Sequence, residues 1–83
     1  MIKDIETFMT LDSEREELKI IADTYAEFGE MAYDKAVMCY EDEDLIAYGV
    51  WMDLYETSVW YQDELNDDIN KIKEKLRKIA GEA

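Results

Sequence analysis

An all-α fold is predicted by three observations. The 83 residues contain no proline and only three glycines, so little interrupts a helix. Apolar residues recur three and four apart through most of the chain. Leu65, Ile69, Ile72, Leu76 and Ile79 follow the alternating spacing of a packed helix seam. The expected architecture is a short N-terminal helix plus two long amphipathic helices, forming an antiparallel hairpin or small bundle. Residues 1–83 make a single acidic helical domain. A core this small is marginal unless the helices are long and well packed or the chain oligomerises.

The N-terminal element rests on Ile2, Ile5, Phe8 and Met9, which show helical spacing but are too few to stand alone. Thr10 to Ser13 reads as a break. Ser13 with Glu16 fits a capping box for the next helix, and Asp12 is a rival cap.

From there Leu18, Ile21, Ala22, Tyr25, Phe28, Gly29, Ala32, Tyr33, Ala36, Val37 and Tyr40 recur at helical spacing, nearly all in one broad apolar stripe. Gly29 lies on that stripe, which favours a close helix–helix approach over a break. The run Glu41-Asp42-Glu43-Asp44 is the expected turn. Its latter part also suits the positive end of the following helix.

The third segment runs from about Asp44 to Ala80. Leu45, Tyr48, Trp51, Met52, Tyr55 and Val59 form a stripe, and Val50, Leu54 and Tyr61 add a second flank. A helix so apolar around Trp51 needs cover on more than one side. The partner helix, the N-terminal element or a second copy of the chain could supply it. The six tyrosines fall mostly on core stripes, with hydroxyls expected at the rim.

Charge is the most informative functional feature. No basic residue occurs over residues 36–70, which carry ten carboxylates. Residues 1–70 hold four basic residues against twenty acids, and residues 71–83 hold five against two. A net charge of −13 disfavours direct contact with nucleic acid or anionic membranes and favours a basic protein surface.

On the second helix Asp23, Glu27, Glu30 and Asp34 lie, with Glu16, in an arc of about 60° opposite the apolar stripe. Asp23/Glu27 and Glu30/Asp34 are like-charge pairs one turn apart, each costing roughly 0.2–0.5 kcal/mol. On the third segment Asp53, Glu56, Asp63, Glu64, Asp67 and Asp68 share another arc, with Trp60 among them. Ten carboxylates over residues 41–70 amount to one per ~4.5 Å of helix, close to the ~3.4 Å phosphate spacing of a DNA strand. These residues are the candidate partner-binding set. The competing reading is a solvated acidic face.

Trp60 has two readings as well. It is an interface anchor able to stack on arginine, or the segment bends near Thr57–Ser58 and turns it into the core. Met31, Met38 and Ile20 form a minor apolar strip. It reads either as the edge of a binding face or as packing against the N-terminal element.

Catalysis finds little support. There is no histidine, the lone Cys39 has no imidazole partner, and no glycine-rich phosphate loop exists. The 41–44 run lacks the spaced ligands of an EF-hand, so no cofactor or metal is expected. One cysteine suits a reducing compartment. Residues 1–10 lack a basic region leading into an apolar run, so neither a signal peptide nor a membrane segment is indicated.

In size, in the basic-free stretch 36–70, and in Trp51, Trp60 and Tyr61 set among acids, the chain resembles the small acidic inhibitors that phages and mobile elements direct against host nucleases. These include DNA mimics acting on restriction enzymes and several anti-CRISPR proteins. The resemblance implies a stoichiometric, non-enzymatic inhibitor that blocks a nucleic-acid-binding groove in the host cytoplasm. The basic terminus, residues 71–78, departs from a pure mimic. It pairs with the acidic face of a second protomer or lies outside the contact. The alternative is a dimerising adaptor or assembly module whose acidic face only confers solubility.

Overall fold

The computed structural model describes residues 4–81. Helix α1 spans Ile5–Glu41 and helix α2 spans Leu45–Gly81. They pack antiparallel along their length into a rod with extents of 62 × 14 × 12 Å. Among the described residues there is no strand.

Among the described residues, which do not include Ile2, the predicted short N-terminal helix is not a separate element. Residues 5–9 are the first turns of α1, and the chain stays helical through Thr10–Ser13. The physical reason is that the buried stripe does not stop there. Phe8, Leu11 and Arg15 lead into Leu18, Ala22, Tyr25, Gly29, Ala32, Ala36 and Cys39 with unbroken three-and-four spacing, and none of these is fully exposed. The cap is Asp4, outside the predicted capping box. Its Oδ1 accepts from the Thr7 backbone N–H at 3.0 Å and its Oδ2 from the Thr7 hydroxyl at 2.7 Å. These bonds from Thr7 hold the Asp4 carboxyl below its ordinary range. Asp12 instead pairs with Arg15 at 2.6 Å.

Helix α2 answers with the same rhythm. Tyr48, Trp51, Tyr55, Ser58, Gln62, Leu65, Ile69, Ile72, Leu76 and Ile79 are all buried or half-buried. The two seams share the seven-residue repeat of coiled coils, and the α1 seam is rich in small residues, Ala22, Gly29, Ala32 and Ala36. The closest approach is at Gly29. A Cβ placed there would lie 2.5 Å from Ser58 Oγ, so any side chain must displace the serine hydroxyl. The Ser58 hydroxyl faces that position and donates to the Tyr55 carbonyl at 2.7 Å.

Three tyrosine pairs bridge the helices, one on the free-end side of this waist and two on the turn side. Tyr25–Tyr61, Tyr33–Tyr55 and Tyr40–Tyr48 have ring centroids 5.2, 5.3 and 5.5 Å apart. Their rims remain wet: Tyr33, Tyr40 and Tyr61 are exposed.

The turn needs only three residues. Asp44 N–H donates to the Cys39 carbonyl at 2.9 Å and Glu43 N–H to the Tyr40 carbonyl at 3.1 Å, closing a Schellman motif. Glu43 occupies the left-handed position that usually takes glycine, with φ 61°. Asp44 then caps α2, its Oδ1 accepting from Ala47 N–H at 3.2 Å. Glu43→Gly should therefore stabilise the protein by about 1 kcal/mol, relieving backbone strain and one of four crowded carboxylates. Thermal unfolding followed by circular dichroism should show a midpoint roughly 5 °C higher.

Candidate functional site: two acidic edges and two flanks

The seams fix which way every other side chain points. In a straight helix pair, residues opposite the seam point away from the partner helix. Asp23, Glu27, Glu30 and Asp34 therefore form an acidic edge along the outside of α1. Asp53, Glu56, Trp60, Asp63, Glu64 and Asp67 lie along the outside of α2, and Asp68, one heptad beyond Tyr61, turns onto its side. All eleven are exposed.

Each helix brings its own set together, but the two sets are not brought together. They run along opposite long edges of the rod. They do stand at the same height. With Gly29 against Ser58, Asp34 lies level with Asp53, Glu27 with Trp60, and Asp23 with Glu64. The hairpin thus carries two antiparallel lines of negative charge over the same stretch. Along α2, six carboxylates from Asp53 to Asp68 occupy about 22 Å, one per ~4 Å. The four of the 41–44 run belong to the end of the rod and do not extend this line.

Helix α2 is continuous through Thr57 and Ser58, so no bend turns Trp60 inward. Its side chain is 55 % exposed and rests edge-on against Tyr61, with centroids 4.9 Å apart. Trp51, by contrast, is half-buried on the seam, with the Lys35 ammonium 5.4 Å from its ring centroid.

Between the edges lie two flanks. On the first, Tyr33, Val37, Tyr40, Tyr48 and Met52 line a shallow groove near the turn. Farther out Glu16, Lys19, Asp23, Asn66 and Lys73 surround a polar cleft. Glu30, Glu56 and Asp63 also lean toward this flank. On the second flank Ile21, Thr24, Tyr25 and Phe28 line an apolar groove. Met31 and Met38 follow Thr24 by one and two heptads, and Leu54 and Ala47 precede Tyr61 likewise, so they share this side. Val50 joins them there. Met31, Met38 and Ile20 are 38 %, 62 % and 65 % exposed, and among the described residues no N-terminal element folds back to cover them.

This division was not foreseen, although the sequence holds its signal. Stepping by sevens from Ile21 to Lys35 and from Ala47 to Tyr61 meets no carboxylate, whereas stepping from Asp53 yields Trp60, Asp67 and Glu74.

The basic terminus runs beside the N-terminal acids of its own chain. Lys71, Lys73 and Lys75 stand level with residues 12–16, which include Asp12, Glu14 and Glu16. Among the described residues the ion pairs, Arg15–Asp12 and Arg77–Glu74, both lie within one helix. Among those residues, too, no three acidic or thiol groups converge to hold a metal ion, and no helix is long and apolar enough to cross a membrane.

Comparison with protein-family models, curated proteins and solved structures finds no match to this chain.

Proposed function

We propose that this protein is a non-enzymatic acidic binder that occupies a basic, nucleic-acid-binding cleft of a partner protein. In this reading it inhibits a host nuclease, such as a CRISPR effector or a restriction enzyme, by standing in for DNA. The supporting observation is the pair of acidic edges at one height on opposite sides of a narrow rod. A flat acidic face would suit a flat basic patch. Two antiparallel edges suit a cleft with two basic walls, as a duplex presents two antiparallel phosphate strands. Trp60, exposed in the middle of the α2 edge, is the anchor that would stack on an arginine of one wall.

The test is capture of host proteins on the immobilised chain at low salt, with elution at high salt. The partner should release its nucleic acid stoichiometrically as this chain is added, and affinity should fall steeply as salt rises. In a Trp51→Phe variant, the remaining Trp60 emission should shift to the blue on binding. A partner that holds its nucleic acid and this chain together would refute the reading.

The exposed apolar flanks favour a second reading, a dimerising adaptor or assembly module whose acid serves solubility. It requires that reversing the charge of the α2 edge leave function unchanged.

A further inference from the structure

We propose that the second flank is the contact surface for a second copy of this chain, docked antiparallel to form a four-helix dimer. The inference does not depend on what the acidic edges bind.

The face is built for burial yet nothing in the hairpin buries it. Ile21, Met31, Val50, Leu54 and Tyr61 are 44 %, 38 %, 55 %, 37 % and 40 % exposed. Over residues 21–38 of α1 and 47–61 of α2 this flank carries no carboxylate. Its one charged residue is Lys35, already engaged over the Trp51 ring. In a chain of net charge −13 this matters doubly. Two copies repel unless they meet where the acids point away, and the acids point along the edges, toward the first flank and past the end of this patch. The first flank has no such clear stretch, since Asp23, Glu30, Glu56 and Asp63 border it.

The hairpin also needs the contact. Among the described residues the buried apolar ones are Ala22, Ala32, Ala36, Ile69, Ile72 and Leu76, three of which are alanines. A single seam this lean leaves an 83-residue chain marginal. An antiparallel overlap centred on the patch is about 40 Å long and, at two helix diameters, ~20 Å wide. That is roughly 800 Å² per copy, the size of a standard stable interface.

Charge selects the orientation. A parallel dimer would set the two Glu41–Asp44 runs side by side. The antiparallel one places each turn near the partner's level of Glu17 and Lys71, where Lys71, Lys75 and Lys78 offset Glu14, Glu17 and Asp68 on the same flank. It also brings Met31 and Thr57 to the two-fold axis, each opposite its own copy.

Sedimentation equilibrium at micromolar concentrations should give twice the 9.8 kDa chain mass. Val50→Glu with Leu54→Glu should weaken dimerisation by roughly a hundredfold or more while helix content is retained. Val37→Glu, on the first flank, should leave the dimer intact. If the double glutamate variant loses its helices, Val50→Ser with Leu54→Ser serves instead and should still weaken the dimer at least about tenfold. In a Cys39→Ser background, Thr57→Cys should cross-link to its copy with a short thiol reagent and Ala47→Cys should not. A wild-type chain that stays monomeric would overturn the proposal, as would a dimer indifferent to the second-flank variants. Cross-linking through Ala47→Cys would overturn the antiparallel arrangement.

Discussion

Replacing Asp63, Glu64, Asp67 and Asp68 together by lysine should abolish binding to a basic cleft while leaving both helices formed. Each reversal changes the charge by two, so the net charge moves from −13 to −5, and the change is concentrated on one edge. All four side chains are exposed and none contributes to the seam, so their removal costs no packing. New like-charge neighbours such as position 67 with Lys71 cost only about 0.2–0.5 kcal/mol each. Circular dichroism should therefore be unchanged within error. Binding should fall by at least about a thousandfold, since several charge contacts become repulsions worth on the order of 1 kcal/mol or more each. The matching reversal of Asp23, Glu27, Glu30 and Asp34 is a second arm. A cleft with two basic walls loses affinity in both arms, whereas a one-sided contact loses it only in the α2 arm. Unchanged binding in the first arm would favour the adaptor reading.

The largest effect on stability is expected at Gly29. Alanine there would meet the Ser58 hydroxyl at 2.5 Å, but Ser58 Cβ at an ordinary 3.5 Å. The hydroxyl has only to swing away and give up its bond to the Tyr55 carbonyl, and the helix gains about 1 kcal/mol of propensity, so the net change is small. Leucine offers no such escape. Its side chain must enter the space held by Ser58 and Gln62, so the helices separate and the neighbouring seam contacts loosen. A loss of about 3 kcal/mol is expected, lowering the thermal midpoint by roughly 15 °C at fixed protein concentration. Pairing Gly29→Ala with Ser58→Ala should recover full stability, because it removes the one crowded atom. An unchanged midpoint in Gly29→Leu would show that the helices are not in close contact there.

Much of this was legible from residue spacing. Two long amphipathic helices, a turn near 41–44 and close contact at Gly29 follow from patterns within one helix at a time. The heptad series ending at Ile79 is the C-terminal half of the α2 seam. What spacing missed has physical causes. Thr10 to Ser13 is polar on most sides and reads as a break. A helix, however, continues wherever its seam positions continue, and Leu11 and Arg15 hold that line while Asp12 ties to Arg15. The turn carries no glycine because Glu43 accepts the left-handed conformation. Above all, the acidic arcs were legible as arcs but not as opposite edges. Periodicity orients a residue about its own helix axis. The relation between two axes depends on which stripes face each other, which only the packed pair reveals.

The three-residue turn has a kinetic consequence. Bringing Tyr40 to Tyr48 closes a short loop, whereas bringing Leu11 to Leu76 closes nearly the whole chain. Loop entropy makes the second closure costlier by about 2 kcal/mol if attempted first. The rod therefore zips from the turn, past the Gly29–Ser58 waist, to its free ends. Contacts near the turn are formed early and those near Leu76 late. The gain from Glu43→Gly should accordingly appear as faster folding, and Leu76→Ala as faster unfolding, in stopped-flow measurements. The opposite assignment would mean that the ends meet first.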